Sequence, residues 1–158
     1  MPPDMLDEID AGILHSLQEN ARNKSAAEIA EAVGVTANTV RNRIRRLEER
    51  GVIEGYVPLI DYEQADFQIK AVIVCTAPIP ERKHLARKAV DVAGVTHVRE
   101  LMTGHRNVLV TAVAAESKSL TDVASRLHNI GLTIEEEELV KNDTHRPFSH
   151  FGDDSGTE

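Results

Sequence analysis

Aromatic residues are scarce: no Trp, two Tyr and three Phe, 3% of 158 residues. A core here must be built from Val, Ile, Leu and Ala, and the 41% hydrophobic content suffices for one. The single cysteine, Cys75, excludes an internal disulfide and any Cys-based zinc module. It lies in an apolar stretch, where a thiol behaves as a small hydrophobe. No apolar run is long enough to span a bilayer, and the acidic start lacks the basic, apolar pattern of a secretory signal. These absences predict a cytoplasmic protein. No two of the seven histidines have a tight ligand spacing, so neither a metal nor a cofactor is expected. Lysine is also scarce, with six Lys against twelve Arg, while Asp plus Glu reaches 26 and the net charge is −8. An acidic, lysine-poor surface suits high salt, and phosphate contacts would be heavily screened there. A stability maximum in low salt would overturn that reading.

Against this background one stretch is basic. Thr36 to Arg50 holds five Arg and two Glu. It follows Ser25 and Glu28, which fit the S-x-x-E capping box, and Ile29, Ala30 and Val33 then recur on one face. Gly34 stands where that helix must end, because glycine takes a left-handed cap at little cost. Thr36 is suited to cap the next helix. Val40, Ile44 and Leu47 give that helix a buried stripe, and Gly51 is its natural stop. Asn38, Arg41, Asn42 and Arg45 fall at i, i+3, i+4 and i+7, on another side. Asn and Arg make paired hydrogen bonds to purine edges in the major groove. Thr36 and Thr39 lie near the helix start, where free amides favour phosphate. Capped helix, glycine turn and capped basic helix together predict helix-turn-helix binding of double-stranded DNA, against the plainer reading of a solvated amphipathic helix.

In chain order, Met1 to Met5 reads as a frayed start. Leu6, Ile9, Ile13 and Leu17 predict a first helix over 6–20, with Asp10 in the first turn where the helix dipole favours anions. Arg22 and Lys24 in the connector fit either phosphate contacts or plain loop charges. Val52 to Tyr62 reads as extended, with Pro58 suited to an edge or linker strand. Strands are expected over 68–76, 95–103, 108–115 and 132–141, and helices over 81–92 and 119–130. That order is βαββαβ, a ferredoxin-like arrangement. Two helices cover one sheet face, so a second copy of the sheet is expected on the other, making a homodimer. The predicted fold is therefore α+β, with a helix-turn-helix domain over 1–55, a linker strand over 56–66, a βαββαβ domain over 67–141 and a polar tail over 142–158. Phe148 and Phe151 are candidates to tether that tail. Glu135 to Glu138 reads as an exposed acidic edge or, less simply, as oxygen ligands for a cation.

The chain resembles the Lrp/AsnC family of transcription regulators over Leu6 to Lys141. Leu6-Asp7-Glu8-Ile9-Asp10 with Ile13-Leu14 is similar to the family's first helix, and Asn20-Ala21-Arg22 to its connector. Ile29 through Thr36 resembles its turn. Arg43-Ile44-Arg45-Arg46-Leu47-Glu48 followed by Gly51-Val52-Ile53-Glu54-Gly55-Tyr56 is the most specific run, and Thr103-Gly104 precedes a strand as in the family.

The resemblance implies a winged helix-turn-helix domain and a βαββαβ domain that dimerises, with Tyr56 to Ile60 pairing between subunits. It also implies further assembly, commonly to an octamer. A small effector, usually an amino acid, would sit between dimers against the turn after the second strand. That turn usually reads Gly-x-x-Asp; here it is Gly104-His105-Arg106-Asn107. Asn107 offers a neutral amide where Asp would pair with an ammonium, so the usual amino acid is expected to bind weakly, or the effector to be more anionic. A plain hairpin is the alternative for this turn.

No catalytic residue and no enzymatic activity are expected. The competing functions are a nucleoid-like architectural DNA-binding protein without an effector and, further off, a siroheme-decarboxylase-like enzyme.

Overall fold

The computed structural model describes residues 5–152. The frayed start, except Met5, and the last six residues of the expected tail lie outside them. Chain contacts divide the molecule into two units. One comprises the chain up to Pro58 together with the chain from Thr144 onward; the other is Leu59–Asp143.

The first unit holds α1 (Glu8–Asn20), α2 (Ala26–Val33) and α3 (Ala37–Glu49). Their ends follow local chemistry. Asp7 caps α1, accepting the Asp10 N–H at 2.8 Å. Ser25 and Glu28 form a reciprocal capping box at the start of α2, at 3.2 and 2.7 Å. Gly34 ends α2 at φ +74°, a left-handed conformation that glycine adopts without a Cβ penalty. Thr36 Oγ1 accepts the Thr39 N–H at 3.2 Å and starts α3. The core is Ile13, Leu14, Ile29, Ala30, Val40 and Leu47, with Ile44 and Val33 packed at its margin. Such a core is small, and domains of this size are marginally stable.

The second unit holds β1 (Ile69–Thr76), α4 (Arg82–Val90), β2 (Val95–Glu100), β3 (Val108–Ala114), α5 (Ser117–Asn129) and β4 (Thr133–Leu139). The strands form one antiparallel sheet in the order β2-β3-β1-β4. Ala71, Ile73 and Cys75 of β1 and Val108, Val110 and Ala112 of β3 join Leu85, Ala89, Leu120, Val123 and Leu127 of the helices in the main core. Burial pushes the Cys75 thiol up to about 12, so it stays neutral and inert.

The register fixes the other face. Arg99, Leu109, Val74 and Glu136 form one row across the four strands, and His97, Thr111, Val72 and Glu138 form the next. Arg99 and His97 lie at the β2 edge, carboxylates at the β4 edge, and Val72, Val74, Leu109 and Thr111 between them.

Two expected elements differ. The second strand stops at Glu100 rather than Thr103, because the Leu101 N–H donates to the Asn107 carbonyl at 2.8 Å and closes a longer loop. Residues 56–66, expected as a linker strand, carry no ladder. Pro58 has no N–H, no strand lies alongside, and Tyr62 to Asp66 turns, with the Phe67 N–H returning to the Tyr62 carbonyl. Tyr56, Val57, Leu59 and Ile60 are exposed as a result.

Candidate nucleic-acid interface and effector turn

Helix α3 presents three faces. Val40 and Leu47 are buried, with Ile44 partly so. Asn38, Arg41, Asn42 and Arg45 are all exposed, on the second face. Every member of this expected base-reading set is thus on one accessible side of one helix. Thr36 and Thr39 stand at its start, their hydroxyls 2.9 Å apart in a mutual hydrogen bond. Thr36 is also the cap, so its oxygen is partly committed before any phosphate arrives.

The third face holds residues that the stripe pattern did not single out. Arg43 Nη1 donates to Asp7 Oδ2 at 2.5 Å and to Asp10 Oδ1 at 3.1 Å, and Arg46 Nη2 donates to Asp10 Oδ2 at 3.3 Å. Asp10 is 0% exposed. It was expected merely to complement the dipole of α1; it also joins α1 to α3. The Arg43 guanidinium, through its hydrogen bond, holds the Asp7 carboxyl below its ordinary value of 3.8. The available signal was that Arg43 and Arg46 lie off both the apolar stripe and the Asn/Arg face. In the connector, Lys24 pairs with Glu19 at 3.3 Å, which favours the loop-charge reading for that residue.

The Gly104–Asn107 turn divides into two parts. Gly104, His105 and Arg106 are exposed, and Gly104 has φ +96°. Asn107 is buried. Its Nδ2 donates to the Ala77 carbonyl at 2.9 Å, and its Oδ1 accepts the Ala77 N–H at 2.8 Å. The Asn107 N–H donates to the Cys75 carbonyl at 3.0 Å. The amide expected to face a ligand instead clips the end of β1 to the start of β3. An Asp there could accept but not donate, which gives this Gly-x-x-Asn turn a structural reason.

Two side chains of the turn meet the acidic run of β4. Arg106 pairs with Glu136 at 2.8 Å, and His105 lies 3.7 Å from Glu135. Thr76 Oγ1 bridges the Glu135 carboxylate at 2.8 Å and the His105 carbonyl at 3.1 Å. A β-bulge opposite Val74 and Cys75 brings the consecutive residues Glu135 and Glu136 into these contacts. The positive charge that suggested an anionic effector is therefore partly neutralised from within. No group of three or more metal-ligating side chains occurs among the described residues, and no described helix is long and apolar enough to cross a membrane.

A capped helix pair with an exposed Asn/Arg face, joined to a βαββαβ unit, defines a two-part DNA-binding regulator. Residues 6–54 match the family model described as "Winged helix-turn-helix DNA-binding". The chain is 32% identical over 123 residues to the HTH-type transcriptional regulator LrpA of Pyrococcus horikoshii, covering 77% of this chain and 84% of that one. AsnC of E. coli matches in fold with a TM-score of 0.70 at 21% identity, over 91% of this chain and 97% of AsnC. A transcriptional regulator from Neisseria meningitidis, solved as a complex with L-Met, matches with a TM-score of 0.74 at 23% identity, over 92% and 96%. The chain belongs to the Lrp/AsnC family of transcriptional regulators.

Proposed function

We propose that this chain is a sequence-specific, cytoplasmic transcription regulator that binds double-stranded DNA as a homodimer and answers a small effector of the amino-acid class. The observation that carries this reading is the division of labour on α3. Asn38, Arg41, Asn42 and Arg45 are exposed on one side, while Arg43 and Arg46 are held by α1. The first set reads base edges in the major groove. Thr36 and Thr39 meet phosphate beside it. No step requires enzymatic chemistry.

The open face of the sheet is the dimer surface in this reading. A two-fold axis parallel to the strands lays the Arg99 and His97 edge of one copy over the Glu136 and Glu138 edge of the other, with Val72, Val74 and Leu109 between. Such complementarity fixes register and orientation. Tyr56 to Ile60 gains its missing strand partner from the second subunit, and dimers assemble further, to a higher oligomer such as an octamer.

The effector is met by Gly104, His105 and Arg106, while Asn107 sets the shape of the turn. The L-Met complex of the Neisseria relative supports an amino acid as the class. A zwitterion suits a site holding Arg106 beside Glu136 better than a strong anion does.

The test is binding to DNA from immediately upstream of the chain's own gene against scrambled DNA, at several salt concentrations, with and without a panel of amino acids. Site-selective binding shifted by one amino acid is expected. Equal binding to both DNAs would instead identify an architectural protein without sequence preference.

A further inference from the structure

The end of the described chain returns to the DNA-binding unit. Residues from Thr144 onward group with the three helices, not with the sheet they follow. Phe151, in a 3-10 turn over Ser149–Phe151, packs against the cluster of Ile13, Leu14, Ile29, Ala30, Val40 and Leu47. The Phe148 N–H donates to Gln18 Oε1 at 3.1 Å. The rings of Phe148 and Phe151 meet edge to face with centroids 5.0 Å apart, and that of Phe148 meets His150 at 5.1 Å. Gly152 lies so close to His15 that a Cβ there would stand 3.0 Å from the ring Nε2. Two of the chain's three phenylalanines are spent here. None of the residues they touch is among those proposed to meet DNA.

We propose that residues 144–152 are a clasp, a fourth element of the DNA-binding domain that ties it a second time to the sheet domain and limits how freely it turns. A domain carried on one linker, at Pro58, sweeps a wide volume. A second covalent tie, at Asp143, shrinks it. In a dimer this raises the effective concentration of the second recognition helix once the first has bound, without any new contact to DNA. It also narrows the half-site spacings that both helices can reach together. The clasp buries apolar surface on a domain whose own core is small, so it also protects α1 from local opening.

The experiment compares the full chain, a chain ending at Asp143, and the full-length double variant Phe148→Ala with Phe151→Ala. Hydrogen exchange comes first. In both altered proteins the α1 amides should exchange roughly ten-fold faster or more, as local opening predicts, with β1 and β3 unchanged. DNA binding follows. Affinity for two half-sites should fall several-fold, on the order of 3–10, with affinity for one half-site within about two-fold and greater tolerance of altered spacing. Unchanged α1 exchange in both proteins would overturn the clasp. So would an equal loss on one and two half-sites, because the segment would then act on the recognition face itself. If truncation alone unfolds the helices, the full-length double variant decides. The exchange arm does not depend on the dimeric reading above, whereas the spacing arm does, so the two can fail separately.

Discussion

Replacing Asp10 by Asn keeps the shape of the side chain and removes its charge. Asp10 is fully buried and accepts from both Arg43 and Arg46, at 3.1 and 3.3 Å. Breaking a buried ion pair from one side costs about 3–5 kcal/mol where the abandoned charge stays buried. Here Arg43 keeps Asp7, and the Arg46 side chain is 48% exposed and can turn to water. The cost is therefore lower, about 2 kcal/mol, close to one hydrogen bond to a charged group. For a unit of this size that lowers the melting temperature by roughly 10 °C. The assay is thermal and urea unfolding of Asp10→Asn and Arg46→Met, singly and together. Because both substitutions break one contact, the double variant should lose less than the sum of the singles. An Asp10→Asn protein that melts with the parent, or a strictly additive double variant, would show that the network does not hold α3 to α1.

Three further outcomes follow from the same geometry. Asp7 has a depressed carboxyl pKa when folded, so the unfolded chain binds its proton at higher pH; the stabilisation is present above about 3.8 and is lost as pH falls through the lower folded value. Acid titration of unfolding should show this loss in the parent and a shallower one in Asp7→Asn. Arg45→Ala should weaken binding to the selected site by about 1–3 kcal/mol and relax discrimination against scrambled DNA, whereas Arg43→Ala should destabilise the helices and leave that discrimination unchanged. Asn107→Asp loses the donor to the Ala77 carbonyl and buries a carboxylate beside it, which should destabilise the sheet unit by about 2–3 kcal/mol, read by denaturant unfolding.

Much of this was legible because it is written locally. Ser25 with Glu28, Gly34 and Thr36 act within three or four residues of themselves, and each cap forms as its residue type demands. The strands and helices of the sheet unit show in their apolar spacing, and the order βαββαβ followed. The parts that were not legible pair residues far apart. An Asp in the first turn of a helix looks the same whether it answers the dipole or an arginine 33 residues away. The partners of Asn107 are backbone groups 30 residues away, which carry no sequence signature. Phe148 and Phe151 lie in a stretch without period, so composition suggested a tether but not where it lands.

These distant contacts also bear on signalling. Arg106 of the Gly104–Asn107 turn pairs with Glu136 of β4, and His105 lies beside Glu135. Beyond β4, the Val140 N–H donates to the Lys70 carbonyl at 2.8 Å, and Lys70 pairs with Asp143. The next residue, Thr144, begins the segment that reaches α1. An effector that draws Arg106 from Glu136 would thus act on the strand that leads into the clasp. Ligand can shift an equilibrium only by its differential affinity for two states. Glu136→Gln weakens the ion pair beforehand, so part of that differential is already spent. Without effector the variant should bind operator DNA more nearly as the effector-bound parent does, and it should show a smaller effector response than the parent, since allosteric couplings are only about 1–3 kcal/mol in total. A full response from Glu136→Gln, measured by DNA titration with the active amino acid, would place the route elsewhere than β4.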